Sequence, residues 1–261
     1  VIPVRRALAF IGAIGVLALT GCASNGPVSS LSELSHIHNI VVVGDQVYAG
    51  SHEGLYAQSP DNQWSRVSGE FDVMALAEVN GTLLASGHPG NGFDLPEPIG
   101  LVSSLDGGQT WSPTSLTGDV DFHLLEASGE TIIGVAANYG VLVKSSDAGV
   151  TWATLDVPAL TDLAIDPENQ NSVWLATDQG LQRSNDGGST FTLHTTSVSA
   201  VLLDWSETGL YGATADTVWR WDNASEDWIS LETGFESISA LSSSEKLVGV
   251  LDGGELIKLE F

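Results

Sequence analysis

Ser104-Leu-Asp106-Gly-Gly-Gln-Thr110-Trp111, Ser145-Ser-Asp147-Ala-Gly-Val-Thr151-Trp152 and Ser184-Asn-Asp186-Gly-Gly-Ser-Thr190-Phe191 are three copies of one eight-residue phrase. Two weaker copies flank them, Ser59-Pro-Asp61-Asn-Gln-Trp64 and Trp221-Asp222-Asn-Ala-Ser-Glu-Asp-Trp228. Successive aspartates stand 45, 41, 39 and 36 residues apart. A propeller blade of four short strands needs about 40–50 residues, so this period predicts blades. Working back from each phrase recovers the earlier strands. Blade 1 reads 38–43, 46–51, 54–59 and 64–67, and blades 2 to 5 open at Val73, Phe122, Thr161 and Ser199. A sixth starts at Ile238 and runs through 246–251 and 255–261, without a fourth strand. The expected fold class is all-β, a six-bladed β-propeller of four-stranded blades. Val28–Ser35 has no other place, and the expectation is that this N-terminal strand completes blade 6 and closes the ring, hiding an exposed sheet edge.

The pattern Ser-x-Asp-x-Gly-x-Thr-Trp resembles the Asp-box, or BNR repeat. In such a turn the aspartate accepts hydrogen bonds from the hairpin backbone, glycine takes the φ > 0 positions, and the aromatic residue packs between sheets. Asp106, Asp147 and Asp186 are therefore read as structural. Calcium ligation or catalysis is the competing reading, weakened because each turn occupies its own carboxylate.

The histidines carry the functional signal. In a propeller, the loop entering the first strand of a blade and the loop joining its second and third strands open on one face, around the channel mouth. Aligned strand starts put His38, Met74, His123, Asp162, Ala200 and Ala240 there, with His36 two residues before His38 on the same side of the strand. The second-to-third-strand turns add His52 and His88, together with Asp178 and Asp252. Five of the 6 histidines thus fall on one face, and only His194 lies elsewhere. Neutral imidazoles so gathered suit zinc or copper, and Met74 would add the soft donor that Cu⁺ prefers. The expected metal ligands are His36, His38, His52, His88, His123 and Met74, with Asp121 and Asp162 as ligands or as acceptors that orient the imidazoles. The competing reading has these histidines closing turns onto backbone carbonyls. The long loop His88–Ile99, stiffened by three prolines, should overhang the same mouth and carry Phe93, Asp94 and Glu97 toward it. No organic cofactor is expected, because the chain has no phosphate-binding glycine loop, no Gly-x-Ser-x-Gly elbow and no second cysteine.

The N-terminus reads as an export signal. Arg5 and Arg6 precede an apolar run from Ala7 to Leu19, too short to span a bilayer comfortably. Leu19-Thr20-Gly21-Cys22 resembles the bacterial lipobox. That resemblance implies cleavage after residue 21, lipidation of Cys22, a tether over 22–30 and a single propeller domain over 31–261. The expected location is extracytoplasmic, anchored to the membrane by acyl chains on Cys22. One cysteine allows no intrachain disulfide, so the fold must stand on its core. With 33 acidic against 8 basic residues and a net charge of −25, the surface repels nucleic acid and favours cations. A solvated acidic coat for solubility explains most of that charge equally well.

His36-Ile-His38, Ser86-Gly-His88-Pro-Gly, Asp94-Leu-Pro-Glu-Pro and Asp121-Phe-His123 go beyond the generic repeat. With the three boxes they resemble a bacterial family of exported Asp-box proteins catalogued as glycosyl-hydrolase-like or sialidase-like. Asp-box propellers also include photosystem assembly factors and sorting receptors that catalyse nothing, so the shared repeat does not transfer an activity. Sialidases grip the substrate carboxylate with three central arginines. Here Arg66, Arg183 and Arg220 fall on outer strands or beside box turns, which argues against sialidase activity. The expected role is non-catalytic: binding a metal, a metal-held ligand or an extracytoplasmic protein at the mouth. The alternative is a glycoside hydrolase with Asp121 or Asp162 as its acid or base.

Overall fold

A computed structural model describes residues 27–91 and 93–260 of the 261-residue chain. The expected signal, Cys22 and the tether as far as residue 26 lie outside the described residues. Blade 1 is β1 (Ile37–Val43), β2 (Gln46–Ser51), β3 (Gly54–Gln58) and β4 (Trp64–Arg66). Blade 2 is β5 (Phe71–Val79), β6 (Thr82–Pro89), β7 (Leu101–Ser104) and β8 (Ser112–Ser115). Blade 3 is β9 (Phe122–Ser128), β10 (Thr131–Ala136), β11 (Val141–Ser145) and β12 (Ala153–Leu155). Blade 4 is β13 (Leu160–Ile165), β14 (Val173–Thr177), β15 (Gly180–Ser184) and β16 (Thr192–His194). Blade 5 is β17 (Leu202–Ser206), β18 (Gly209–Ala213), β19 (Thr217–Asp222) and β20 (Asp227–Thr233). Blade 6 holds β21 (Ile238–Ser243), β22 (Leu247–Asp252) and β23 (Glu255–Glu260). Strands within each blade pair in sequence order and antiparallel, giving five four-stranded sheets and one three-stranded sheet among the described residues.

The six-bladed ring follows from where the apolar side chains go. Each blade is covered on both faces by its neighbours, so its middle strands need not alternate; Val173, Trp174, Leu175 and Ala176 of β14 are all buried in a row. Six buried clusters result, one between each pair of adjacent blades. The first strand of every blade faces the axis, and β1, β5, β9, β13, β17 and β21 touch in a closed circle.

The box turns brace the blades from outside. Asp147 accepts from the Thr151 amide at 2.8 Å, the Thr151 hydroxyl at 2.7 Å and the Ser145 hydroxyl at 2.8 Å. Asp106 and Asp186 repeat the pattern on Thr110 and Thr190. Those donors hold all three carboxyls at about 2. At Gly149 (φ +87°) the backbone takes a conformation that other residues rarely adopt, and a Cβ would lie 2.7 Å from Leu101 Cδ2 of the preceding blade.

The expected closing strand is not formed. Val28 pairs instead with Trp64 on the outer strand of blade 1, through two backbone hydrogen bonds of 2.9 and 2.8 Å. Ser30 and Glu33 then form a capping box that turns Leu31–Glu33 into a short 3-10 helix. This turn prevents the segment from running alongside β23. It clasps the seam from outside: Ser30 Oγ donates to Glu255 at 2.7 Å, and Leu31 buries itself among Ile40, Val42, Trp64, Ala240 and Leu251. Closure itself comes from the inner strands, where Ser242 Oγ accepts from the Val42 amide and Ser244 Oγ donates to the Gly44 carbonyl.

Candidate metal centre at the channel mouth

Five of the six inner strands begin with a β-bulge, at His38, Met74, His123, Thr161 and Ser239. Each bulge leaves one residue out of the ladder and re-aims its side chain. All of these except Met74 line a channel cavity of about 450 Å³. Sequence alignment put Asp162 and Ala240 in this set; the bulged residues stand one position earlier, which sends Asp162 deeper into the channel.

Two groups of donors converge at the mouth. In the first, His38 arrives from the bulge of blade 1, His52 from the β2–β3 turn, and Asp72 from β5 of the next blade. His52 Nδ1 lies 2.8 Å from Asp72 Oδ2 and 3.3 Å from His38 Nε2. His38 Nε2 stands 3.1 Å from Asp72 Oδ1, within ion-pair distance. His36 packs edge-on against His38 with ring centroids 4.7 Å apart. Burial holds the His38 imidazole below its usual pKa, with His52 and His36 adding to the fall and Asp72 opposing it. His38 therefore favours the neutral form that a metal needs.

The second group lies one blade on. His88 ends β6, Asp121 immediately precedes β9, and His123 is the bulge of blade 3. Asp121 Oδ2 is 2.9 Å from His123 Nε2 and 3.8 Å from His88 Nε2. Glu97 reaches back from the long loop to His88 Nδ1 at 2.5 Å. Burial alone would lower the His88 pKa, but the bond to Glu97 and the charges of Asp121, Glu97 and Asp72 hold it above the usual value. In each group, one ligand-capable atom from each of the three residues lies within 4.8 Å of the others.

Of the sequence-predicted ligands, His38, His52, His88 and His123 are brought into these groups, and His36 sits beside the first. Met74 occupies the bulge of blade 2 between them, with its carbonyl accepting from Asn39 Nδ2 at 3.2 Å. Asp162 is apart: its carboxylate accepts from the Leu203 and Leu163 amides, and burial pushes its pKa to about 7. The loop expectation divides. Glu97 does reach the mouth, Phe93 turns inward to stack on Phe71 at 4.4 Å, and Asp94 is exposed.

Two elements escaped the sequence reading. Asp72 was one; its signal was present, since it precedes Met74 by the same two residues that separate Asp121 from His123. The other is the channel interior, where Asp204 joins Asp162 at a pKa of about 7, raised by burial, and burial with both aspartate charges pushes Glu126 well above the ordinary range. No arginine or lysine lines this cavity.

No family model and no curated protein matches the sequence. Solved structures do share the fold. A putative gluconolactonase aligns at 14% identity over 91% of this chain and 93% of its own, with a TM-score of 0.64. YCF48 bound to a D1 peptide aligns at 17% identity, covering 87% of this chain and 79% of that one, with a TM-score of 0.52. An ancestral GH74 enzyme aligns at 16% identity and a TM-score of 0.53 over 87% of this chain, which spans only 35% of that protein. At such identities the likeness establishes the β-propeller fold and no activity.

Proposed function

We propose that the chain is a membrane-anchored extracytoplasmic propeller that binds a transition metal, copper or zinc, at its histidine-rich mouth, in a non-catalytic binding or assembly role. One observation carries this reading. Two imidazole nitrogens and a carboxylate oxygen converge within 4.8 Å of one another, and do so twice over. Taking an aspartate partly out of water is costly, and a cation shared with the facing imidazoles would offset that cost. The spacings fit: tetrahedral zinc with bonds of about 2.0–2.1 Å sets its ligand atoms roughly 3.3 Å apart, against 2.8–3.3 Å in the first group. The lipid anchor at Cys22 and the location rest on the sequence of residues 1–22.

Glycoside hydrolysis is the second reading, favoured by Asp162, whose pKa of about 7 inside the channel suits a general acid. Metal analysis of full-length protein purified without an affinity tag separates the two. Copper or zinc bound in whole-number ratio, and lost in a His38→Ala/His123→Ala double variant, supports metal binding. Metal-free protein that hydrolyses an aryl glycoside, and loses that activity in Asp162→Asn, supports the enzyme.

A further inference from the structure

We infer that the mouth holds two metal ions in two separate sites, an inference that rests on the metal reading above and specifies its stoichiometry. The two donor groups share no residue: one is His38, His52 and Asp72, the other His88, Asp121 and His123. They share one feature and differ in another. A histidine at or just beyond the end of a blade's second strand meets an aspartate that stands two residues before the next blade's bulge: His52 meets Asp72, and His88 meets Asp121. A bulge histidine completes each set from a different side: His38 comes from the blade of His52, and His123 from the blade of Asp121. Each group has its own aspartate, Asp72 in one and Asp121 in the other, so each can balance the charge of an ion of its own.

The sites differ in what surrounds them. His36 stands against the first, with its ring centroid 4.7 Å from that of His38 and 5.7 Å from that of His52, and so offers a further nitrogen. At the second, Glu97 lies 2.5 Å from His88 Nδ1; a proton held there would leave the Nε2 of neutral His88 free to bind an ion beside Asp121 and His123. A carboxylate behind a ligating imidazole is the arrangement that orients metal-bound histidine. The first site is thus rich in nitrogen, the second polarised by carboxylates. Nitrogen-rich donor sets favour Cu²⁺, whereas both suit Zn²⁺.

The test is a titration of chelator-stripped, untagged full-length protein with Zn²⁺, read by metal content after desalting, with Co²⁺ absorption as a second readout. The expected result is two ions per chain in the wild type. One should remain in His52→Ala/Asp72→Asn, one in Asp121→Asn/His123→Gln, and none when all four substitutions are combined. The two Co²⁺ spectra of the double variants should differ and should sum to that of the wild type. Far-UV circular dichroism and tryptophan fluorescence matching the wild type certify that each variant is folded, and His36→Gln, exposed at the rim, provides a milder probe of the first site. One ion in the wild type, or either folded double variant losing both ions, overturns the two-site proposal and leaves metal binding standing. No ion in the wild type overturns both.

Discussion

Asp72 and His88 are direct register partners across the β5–β6 ladder, so the two donor groups meet on one pair of strands. The next pair along is Val73 and Gly87, where the bulge begins. Gly87 has φ +146°, and a Cβ there would fall 1.8 Å from the Asp72 carbonyl oxygen. Gly87→Ala must therefore force β5 away from β6. It should destabilise the fold by more than about 1 kcal/mol and weaken metal uptake at both groups together. Thermal melting and zinc titration of the same preparation check this; unchanged uptake would disconnect the ladder from the mouth.

Glu97 contacts His88 and belongs to neither donor group. Glu97→Gln should lower affinity at the His88 group by about 10–100-fold, the usual effect of removing an orienting partner. The His52 group should be unaffected. Competition with a chelating dye reads both constants, and an equal loss at both would show that the substitution acts through the fold.

Asp204 gives a pH signature of the channel. Its folded pKa of about 7 lies above the ordinary aspartate value of 3.8, because burial penalises the charge more than the Ser243 hydroxyl relieves it. Between those values the unfolded chain has released a proton that the folded chain retains. Stability is therefore lost as pH rises from about 4 to 7, and no more is lost above that. Asp204→Asn should stabilise by roughly 1–2 kcal/mol at pH 8, a figure discounted for water in the channel, with the gain vanishing near pH 4. Denaturant melts at both pH values measure it, and a gain that persists at pH 4 would rule out titration as the cause.

Leu31 is 2% exposed in the seam between blades 6 and 1. Leu31→Ala should cost about 2–5 kcal/mol, as buried leucine truncations do. Hydrogen exchange should rise first in β23 and β4, the outer strands that the clasp touches. A change below 1 kcal/mol would show that the inner strands close the ring unaided.

The ring was legible in the sequence because the box phrase is local: Ser104, Asp106, Gly108 and Thr110 satisfy one another within a single turn. Blade 3 even starts at the expected Phe122 and blade 6 at Ile238. The clasp was not legible in this way. Its conformation depends on Trp64 and Glu255, 36 and 225 residues from their partners Val28 and Ser30, and periodicity carries no information about such contacts. Topology alone was enough to expect His38, His52, His88 and His123 near one another. Asp72 was passed over because in a chain with 33 acidic residues one more aspartate carries no signal until its neighbours are known. The one-residue error at Asp162 has the same origin, since a bulge adds a residue that strand-start alignment does not count.

Those bulges make the rim a set of interchangeable sockets. The extra residue in each strand is held by the backbone whatever its side chain, as histidine, methionine, threonine and serine all show by occupying one. The chemistry of the opening can therefore drift, or be rewritten by design, one substitution at a time, while the blades beneath keep their shape. Thr161 and Ser239 are the two vacancies from which a new donor would face the axis without any change of scaffold.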